Sequence, residues 1–249
     1  MTADRIDRET CLVTGGASGI GRACADRFSA DGCQVLVGDL NPRSTGAGRH
    51  EQFCCDVADP GSCDEFVAFA MQRFGRVDTL VANAGVQTGG RLLDTPPEEW
   101  QRVLDVNLQG VVNCCRSVLP HMIRAGGGAI VVVASVNVLQ APKAMAAYDV
   151  SKTALLGLVR NLAIDHGRDG VRVNAVLPGA TLTEFHLKRA ASRGVDAEQL
   201  RASMGDYGAL GRIADPAEIA AAIRFLASRD ASFVTGATLV VDGGASVRA

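Results

Sequence analysis

Short apolar runs alternate with longer amphipathic stretches along this chain. Val, Leu and Ile dominate the short runs, where apolar residues are mostly consecutive rather than alternating with polar ones. Strands that are covered by helices on both faces carry continuous apolar side chains, so this pattern predicts a buried parallel sheet. We predict seven strands, at residues 11–15, 33–39, 51–57, 77–85, 128–135, 171–179 and 237–244.

Helix signals lie between the predicted strands. Asp59 and Pro60 can begin a helix that Gly75 ends. Proline suits the first helical turn because its missing N–H would have no helical partner there, and glycine suits the residue after the last turn. The three residues therefore predict a helix over about 60–74.

Two more helices are predicted from capping boxes. In a capping box, the residue before the helix and a glutamate three positions later bond each other's backbone N–H groups. Thr95 and Glu98 have this spacing, with Pro96 in the first helical position, and so do Asp215 and Glu218. Helices are therefore expected to begin after Thr95 and after Asp215.

Strands that alternate with helices predict the α/β fold class. We expect a single domain over residues 1–249, built as a Rossmann-like, doubly wound parallel sheet of about seven strands flanked by helices. Residues 184–213 are the least regular stretch, with room for one or two short helices. Long segments between regular elements often have a functional role, so this stretch is predicted to be a substrate loop or lid.

Composition and charge exclude several classes of protein. The 249 residues carry a net charge of −2, without the basic surplus that nucleic-acid-binding domains show. There is no apolar run of about 18 residues, so no membrane span is expected. The polar, mixed-charge N-terminus is unlike a signal peptide, and the expected location is the cytoplasm.

Eight cysteines raise the question of a metal site. They form no C-x-x-C pair, and no histidine stands at zinc-finger spacing from them. Most lie in apolar runs, which is typical of small buried side chains in a reducing compartment. We therefore expect no metal site.

A glycine-rich stretch, TGGASGIG, occupies residues 14–21 after the first predicted strand and opens a helix. Glycine permits a tight turn there and lets backbone N–H groups approach a pyrophosphate at the helix N-terminus. The second predicted strand ends at Asp39, near the interval expected for an acid that binds the adenine ribose hydroxyls. A carboxylate there would repel the 2′-phosphate of NADP, so we predict NAD.

Tyr148 and Lys152 stand four residues apart and share one face of a helix. The chain has two tyrosines, and its lysines are Lys143, Lys152 and Lys188, so about 0.02 such pairs are expected by chance. The spacing therefore favours a catalytic pair.

Together these stretches resemble the classical short-chain dehydrogenase/reductase family over about residues 8–244. Asn107 in DVNLQG, Ser135 in VVVAS, the ANAG stretch at 82–85 and VRVNAVLPG at 171–179 extend the match. The resemblance implies that Tyr148 is the general acid/base. It also implies that Ser135 bonds the substrate oxygen, that Lys152 holds the nicotinamide ribose, and that Asn107 holds a relay water.

The resemblance also implies a cofactor groove and a substrate pocket. The implied cofactor-binding residues are Gly15, Ser18, Gly19, Ile20, Gly21, Asp39, Leu40, Asp56, Val57, Asn83, Ala84, Gly85, Tyr148, Lys152, Pro178, Gly179, Thr181 and Thr183. The implied pocket residues are Ser135, Asn137, Tyr148, Ala180 and Phe185.

Elementary chemistry supports the role of the tyrosine. Oxidising an alcohol needs a base for the hydroxyl proton, and a free tyrosine with a pKa of about 10 is a poor base near neutrality. A neighbouring ammonium group and a positive nicotinamide ring favour the phenolate. Asp149 follows Tyr148 directly, but adjacent helical residues point about 100° apart. We expect Asp149 to face solvent or a neighbouring chain, and Asp149→Asn to leave the pH optimum nearly unchanged.

The leading hypothesis is an NAD-dependent dehydrogenase of a secondary alcohol or its ketone, with a cyclic alcohol, a diol or a polyol as substrate. One alternative is an NADPH-dependent 3-oxoacyl thioester reductase, against which Asp39 argues. Another is a non-catalytic NAD-binding regulator, which would be expected to lack part of the catalytic set. The resemblance implies a homotetramer.

Overall fold

The computed structural model of the protein describes residues 9–42, 50–191, 194–203 and 207–247. Seven strands lie in the described part of the chain: β1 (Thr10–Thr14), β2 (Gln34–Asp39), β3 (Glu51–Cys54), β4 (Thr79–Ala82), β5 (Gly128–Val133), β6 (Val171–Pro178) and β7 (Thr238–Val241). All pair in parallel, in the order β3-β2-β1-β4-β5-β6-β7. The predicted Rossmann-like α/β sheet is confirmed.

Helices cover both faces of this sheet. The described residues include α1 (Gly19–Ala30), α2 (Pro60–Phe74), α3 (Pro97–Leu104), α4 (Gly110–Arg124), α5 (Ala146–His166), α6 (Glu184–Ala191), α7 (Ala197–Ser203) and α8 (Pro216–Ala227). A π-helical turn, Asp105–Gln109, joins α3 to α4. None of the helices in these ranges has the length and apolarity that a membrane span requires.

The helix predicted from Asp59 is confirmed. Its carboxylate accepts hydrogen bonds from the backbone N–H groups of Gly61 and Ser62, which have no helical partner. Gly75 ends the helix with a φ of 81°, a conformation that glycine adopts without steric cost. The sequence signals at both ends therefore act as predicted.

One of the two predicted capping boxes is wrong. The Thr95 hydroxyl donates to the Arg91 carbonyl instead of capping α3, and Pro96 precedes the helix. A preceding 3₁₀ turn provides that carbonyl, which the local sequence pattern did not reveal. The second box is confirmed, since the backbone N–H of Asp215 donates to the Glu218 carboxylate at 2.9 Å.

The core consists of two apolar layers, one on each face of the sheet. Leu12 and Leu36 point into the layer formed with α2, α4 and α5, whereas Val13 and Val37 point into the layer formed with α1 and α8. Alternate residues of a strand point to opposite faces, so continuous apolar runs are needed to fill both layers. Six of the eight cysteines are buried, as predicted for most of them, while Cys33 is half-buried and Cys54 is exposed.

The direction in which the sheet grows along the chain reverses at β1. β2 and β3 lie on one side of β1, and β4 to β7 lie on the other. In open parallel sheets, ligands bind at the carboxyl ends of the strands next to such a reversal. The topology therefore predicts a ligand-binding site at the loops that follow β1 and β4.

Candidate active site

A cleft of about 650 Å³ opens at this reversal point. The loops after β1, β4, β5 and β6 contribute to its walls, and α5 contributes Tyr148 and Lys152. Most of the predicted site residues line this cleft. Those that do not are Gly21, Leu40, Asp56, Val57 and Asn107. The side chain of Phe185 lies outside the described residues.

The glycine-rich turn requires its glycines. Gly15 and Gly19 have φ values of 64° and 55°, in the left-handed region that disfavours residues with a side chain. A Cβ atom on Gly15 would lie 2.7 Å from the Ala84 Cα, and one on Gly21 would collide with the Gly15 carbonyl. Gly15 thus serves the packing of the turn against the loop after β4, Gly21 serves the packing of α1 against the turn, and the turn lines the cleft through Gly15 and Gly19.

Asp39 lies at the end of β2, beside this turn. One oxygen of its carboxylate accepts a hydrogen bond from the backbone N–H of Ala17 at 3.1 Å, and the other accepts from that of Asn41 at 3.0 Å. These bonds fix the carboxylate at the rim of the cleft. Leu40, which follows it, is exposed.

The N-terminus of α1 has an unexpected partner. Ser18 precedes the helix without a side-chain capping bond. The Glu184 carboxylate, from the start of α6, accepts a hydrogen bond from the Gly19 N–H at 2.6 Å. A helix N-terminus favours negative charge, and here a side chain far along the chain provides it. No local spacing in the sequence links Glu184 to the glycine-rich turn, so this contact was not predicted.

Lys152 is held inside the cleft. Its side chain is 4% exposed, and its Nζ donates to the Val133 carbonyl at 2.8 Å. Burial lowers the pKa of this lysine to about 8, because the surrounding protein solvates the ammonium less well than water does. The Nζ stands 5.8 Å from the ring centre of Tyr148.

Tyr148 and Ser135 are brought together from different elements. Ser135 follows β5, and Tyr148 lies in the first turns of α5. Burial raises the pKa of Tyr148, a hydrogen bond from Ser135 opposes that rise, and the charge of Asp149 adds to it. Burial therefore works against the phenolate, and the Ser135 hydroxyl favours it.

Asn107 is fully buried behind Gly85, within the π-helical turn. Its side-chain oxygen accepts from the Val86 N–H at 2.8 Å, and its amide group donates to the Val86 carbonyl and to the Ser151 hydroxyl. Both amide hydrogens are therefore used. A relay water would have to bond an acceptor of Asn107, such as its backbone carbonyl.

Asp149 is half-buried in a groove on the outer side of α5, and its carboxylate has a partner that the sequence did not predict. Its Oδ1 accepts a hydrogen bond from the Asn137 amide at 2.8 Å, and its charge raises the pKa of Tyr148. Although the two side chains leave the helix in different directions, the turn after β5 places Asn137 within reach of Asp149. The effect of the Asp149 charge on the pKa of Tyr148 favours a shift in the pH optimum of Asp149→Asn over the nearly unchanged optimum expected from the sequence.

Tyr207 completes the wall of the cleft next to β6. Its hydroxyl oxygen accepts a hydrogen bond from the Ala180 N–H at 2.9 Å. This contact ties the end of the irregular stretch 184–213 to the loop after β6. The stretch was predicted to be a substrate loop or lid, but no spacing in the sequence indicated this particular bond.

The fold and the site define an oxidoreductase with a dinucleotide-type cleft and a Ser-Tyr-Lys set. A family model described as "Enoyl-(Acyl carrier protein) reductase" matches residues 15–246. The meso-2,3-butanediol dehydrogenase of Serratia marcescens is 38% identical, with 97% of this chain and 96% of the relative covered. The D-threitol dehydrogenase of Mycolicibacterium smegmatis is also 38% identical, with coverages of 98% and 95%.

Two further comparisons extend this relationship. The 3-oxoacyl-[acyl-carrier-protein] reductase of Thermotoga maritima is 34% identical over 96% of this chain and 98% of the relative. The ligand-free structure of an aldohexose dehydrogenase from Thermoplasma acidophilum superposes with a TM-score of 0.92 at 34% identity, covering 98% of this chain and 96% of that one. The chain belongs to the short-chain dehydrogenase/reductase family, whose members named here act on CH–OH groups or the matching ketones.

Proposed function

We propose that the protein is an NAD-dependent dehydrogenase of a secondary alcohol of the diol or polyol type, or works as the reductase of the matching ketone. The arrangement that supports this most strongly is Ser135, Tyr148 and Lys152 in one cleft with Asp39 at its rim. Two relatives are named for the oxidation of butanediol and threitol, which supports a substrate with more than one hydroxyl.

The cleft fits a dinucleotide. Gly15 packs so closely on the loop after β4 that a Cβ would meet the Ala84 backbone, and the glycine-rich turn lines the cleft where the pyrophosphate would bind. The N-terminus of α1 would face this anionic group, and the fixed carboxylate of Asp39 would accept hydrogen bonds from the adenine ribose hydroxyls. When bound, the nicotinamide supplies the hydride acceptor.

The residues of the chain would then carry out the proton transfer. Tyr148, as phenolate, removes the proton of the substrate hydroxyl during oxidation and returns it during reduction. The Ser135 hydroxyl donates a hydrogen bond to the substrate oxygen, where charge changes during the reaction. Lys152 would bond the nicotinamide ribose and favour the phenolate by its charge.

The preference for NAD follows from Asp39. Both of its oxygens are already fixed by backbone N–H groups, so the carboxylate cannot turn away from a 2′-phosphate without breaking those bonds. Two negative charges about 4 Å apart near a protein surface repel by up to about 4 kcal/mol. The second candidate is an NADPH-dependent 3-oxoacyl thioester reductase, and the Thermotoga relative is named as a 3-oxoacyl-[acyl-carrier-protein] reductase.

We also propose the wider context of this enzyme. It would form one domain over residues 1–249, with 184–213 as the substrate loop, and act in the cytoplasm as a homotetramer. The exposed apolar side chains of Phe233, Ile164 and Val240 support an assembly, and Val240 belongs to β7, the last strand of the sheet. Symmetric association would cover such an edge.

Separate titrations with NADH and NADPH, followed by fluorescence, test the cofactor. We expect NADH to bind at least about tenfold more tightly, which corresponds to about 1.4 kcal/mol. Equal or tighter binding of NADPH would favour the thioester reductase. A panel of alcohols and ketones then tests turnover, and cofactor binding without turnover of any of them would point to a regulator.

A further inference from the structure

Asn137 and Asp149 form a polar pair in the wall of the cleft that the proton chemistry does not use. Asn137 lies in a 3₁₀ turn directly after Ser135. It lines the active-site cleft and also a shallow groove on the outer side of α5, whereas Asp149 lines only the outer groove. Asn137 therefore stands between the carboxylate and the substrate space.

The carboxylate fixes which end of the Asn137 amide faces it. An ionised carboxylate only accepts hydrogen bonds, so it selects the NH₂ group of the amide. The observed bond, from Asn137 Nδ2 to Asp149 Oδ1 at 2.8 Å, has this polarity. The amide oxygen is thereby turned away from Asp149, and it accepts no hydrogen bond from the residues that the structure describes.

The residue that carries this acceptor lies next to the reacting atoms. The backbone N–H of Asn137 donates to the Ser135 Oγ at 3.2 Å. With an N–Cα bond of about 1.5 Å, the Asn137 Cα lies within about 5 Å of that hydroxyl oxygen. A substrate whose carbinol oxygen bonds Ser135 would bring a substituent on the adjacent carbon into the reach of the Asn137 side chain.

We propose that the Asn137 amide oxygen accepts a hydrogen bond from a second hydroxyl on the carbon next to the reacting carbinol, and that Asp149 is the positioning residue that holds this oxygen toward the substrate. The preferred substrate class is then a vicinal diol or polyol. This inference rests on the proposed alcohol dehydrogenase activity and specifies which alcohols the site selects.

The test compares kcat/KM for meso-2,3-butanediol and for 2-butanol in the same NAD-linked assay. The two substrates share the reacting carbinol and differ in the second hydroxyl. We expect the wild-type protein to prefer the diol by about fivefold, the value of one neutral hydrogen bond. Because both substrates use the same base, any effect of a substitution on Tyr148 cancels in the ratio.

Three variants test which residue produces the preference for the diol. Asn137→Leu keeps the side-chain size but removes the acceptor, so kcat/KM should fall more for the diol than for 2-butanol, and the ratio of the two values should approach one. Asp149→Asn lets the Asn137 amide turn either way and should lose only part of the preference, mainly through a higher KM for the diol. Asp165→Asn is the control, because it removes the same charge from an exposed position on α5, and it should keep the full preference for the diol.

Several outcomes would overturn the inference. A diol preference that survives in Asn137→Leu would show that another group binds the second hydroxyl. Equal losses for both substrates would show that Asn137 only supports the turn around Ser135. NADH titration of each variant verifies that the cofactor site is intact. If the wild-type protein turns over neither alcohol nor any other of the panel, the proposed function itself fails, and this inference fails with it.

Discussion

The contact between Glu184 and the N-terminus of α1 makes a quantitative prediction about cofactor binding. The carboxylate accepts the Gly19 N–H at 2.6 Å, in the region where the pyrophosphate of a dinucleotide would bind. Two anions cannot use this position together. The cofactor must therefore displace Glu184, and its measured affinity includes the free energy of that displacement.

The size of this effect follows from the type of hydrogen bond. A hydrogen bond to a charged group contributes about 1.5–3 kcal/mol, and one between neutral groups contributes about 1 kcal/mol. Glu184→Gln keeps an acceptor but removes the charge, so the displacement should become easier by about 1 kcal/mol. The Kd for NADH should fall about fivefold. The cofactor-free protein should lose a similar stability, which lowers its Tm by about 2–4 °C.

Fluorescence titration with NADH and thermal unfolding without cofactor measure the two effects. Glu65→Gln is the matched control, because it makes the same charge change at an exposed position on α2. We expect the control to leave both quantities unchanged. An unchanged or weaker NADH affinity in Glu184→Gln would refute the reasoning, since it would mean that Glu184 and the cofactor do not compete.

Three shorter predictions concern the reaction and its cofactor. Tyr148→Phe should lower kcat in an NAD-linked assay by about 10²–10⁴-fold, because the group that transfers the proton is lost. The charge of Asp149 raises the pKa of Tyr148, so Asp149→Asn should lower that pKa. Alcohol oxidation needs the phenolate and should therefore reach its plateau at lower pH. A pH profile of kcat that does not move would contradict this coupling. Asp39→Asn should tighten NADPH binding by at least about tenfold in a titration, because it removes the charge that repels the 2′-phosphate. An unchanged affinity for NADPH would show that another group selects the cofactor.

Features that depend on neighbouring residues could be read from the sequence. The glycines of the turn after β1, the start of α2 at Asp59, and the four-residue spacing of Tyr148 and Lys152 all act within one element or one connection. The continuous apolar runs predicted the buried strands, because a strand covered on both faces has no polar side. The same local reasoning failed at Thr95, where a 3₁₀ turn provided a nearer carbonyl for the hydroxyl.

The sequence by itself thus determined the fold class, the elements and the residue types of the catalytic set. The tertiary structure decided which groups meet across long separations: Glu184 with Gly19 and Asn137 with Asp149. The physical reason is that periodicity specifies the direction in which a side chain leaves its own helix or strand. Its partner depends on how loops from different strands converge at one edge of the sheet, and no spacing within a single segment encodes that convergence.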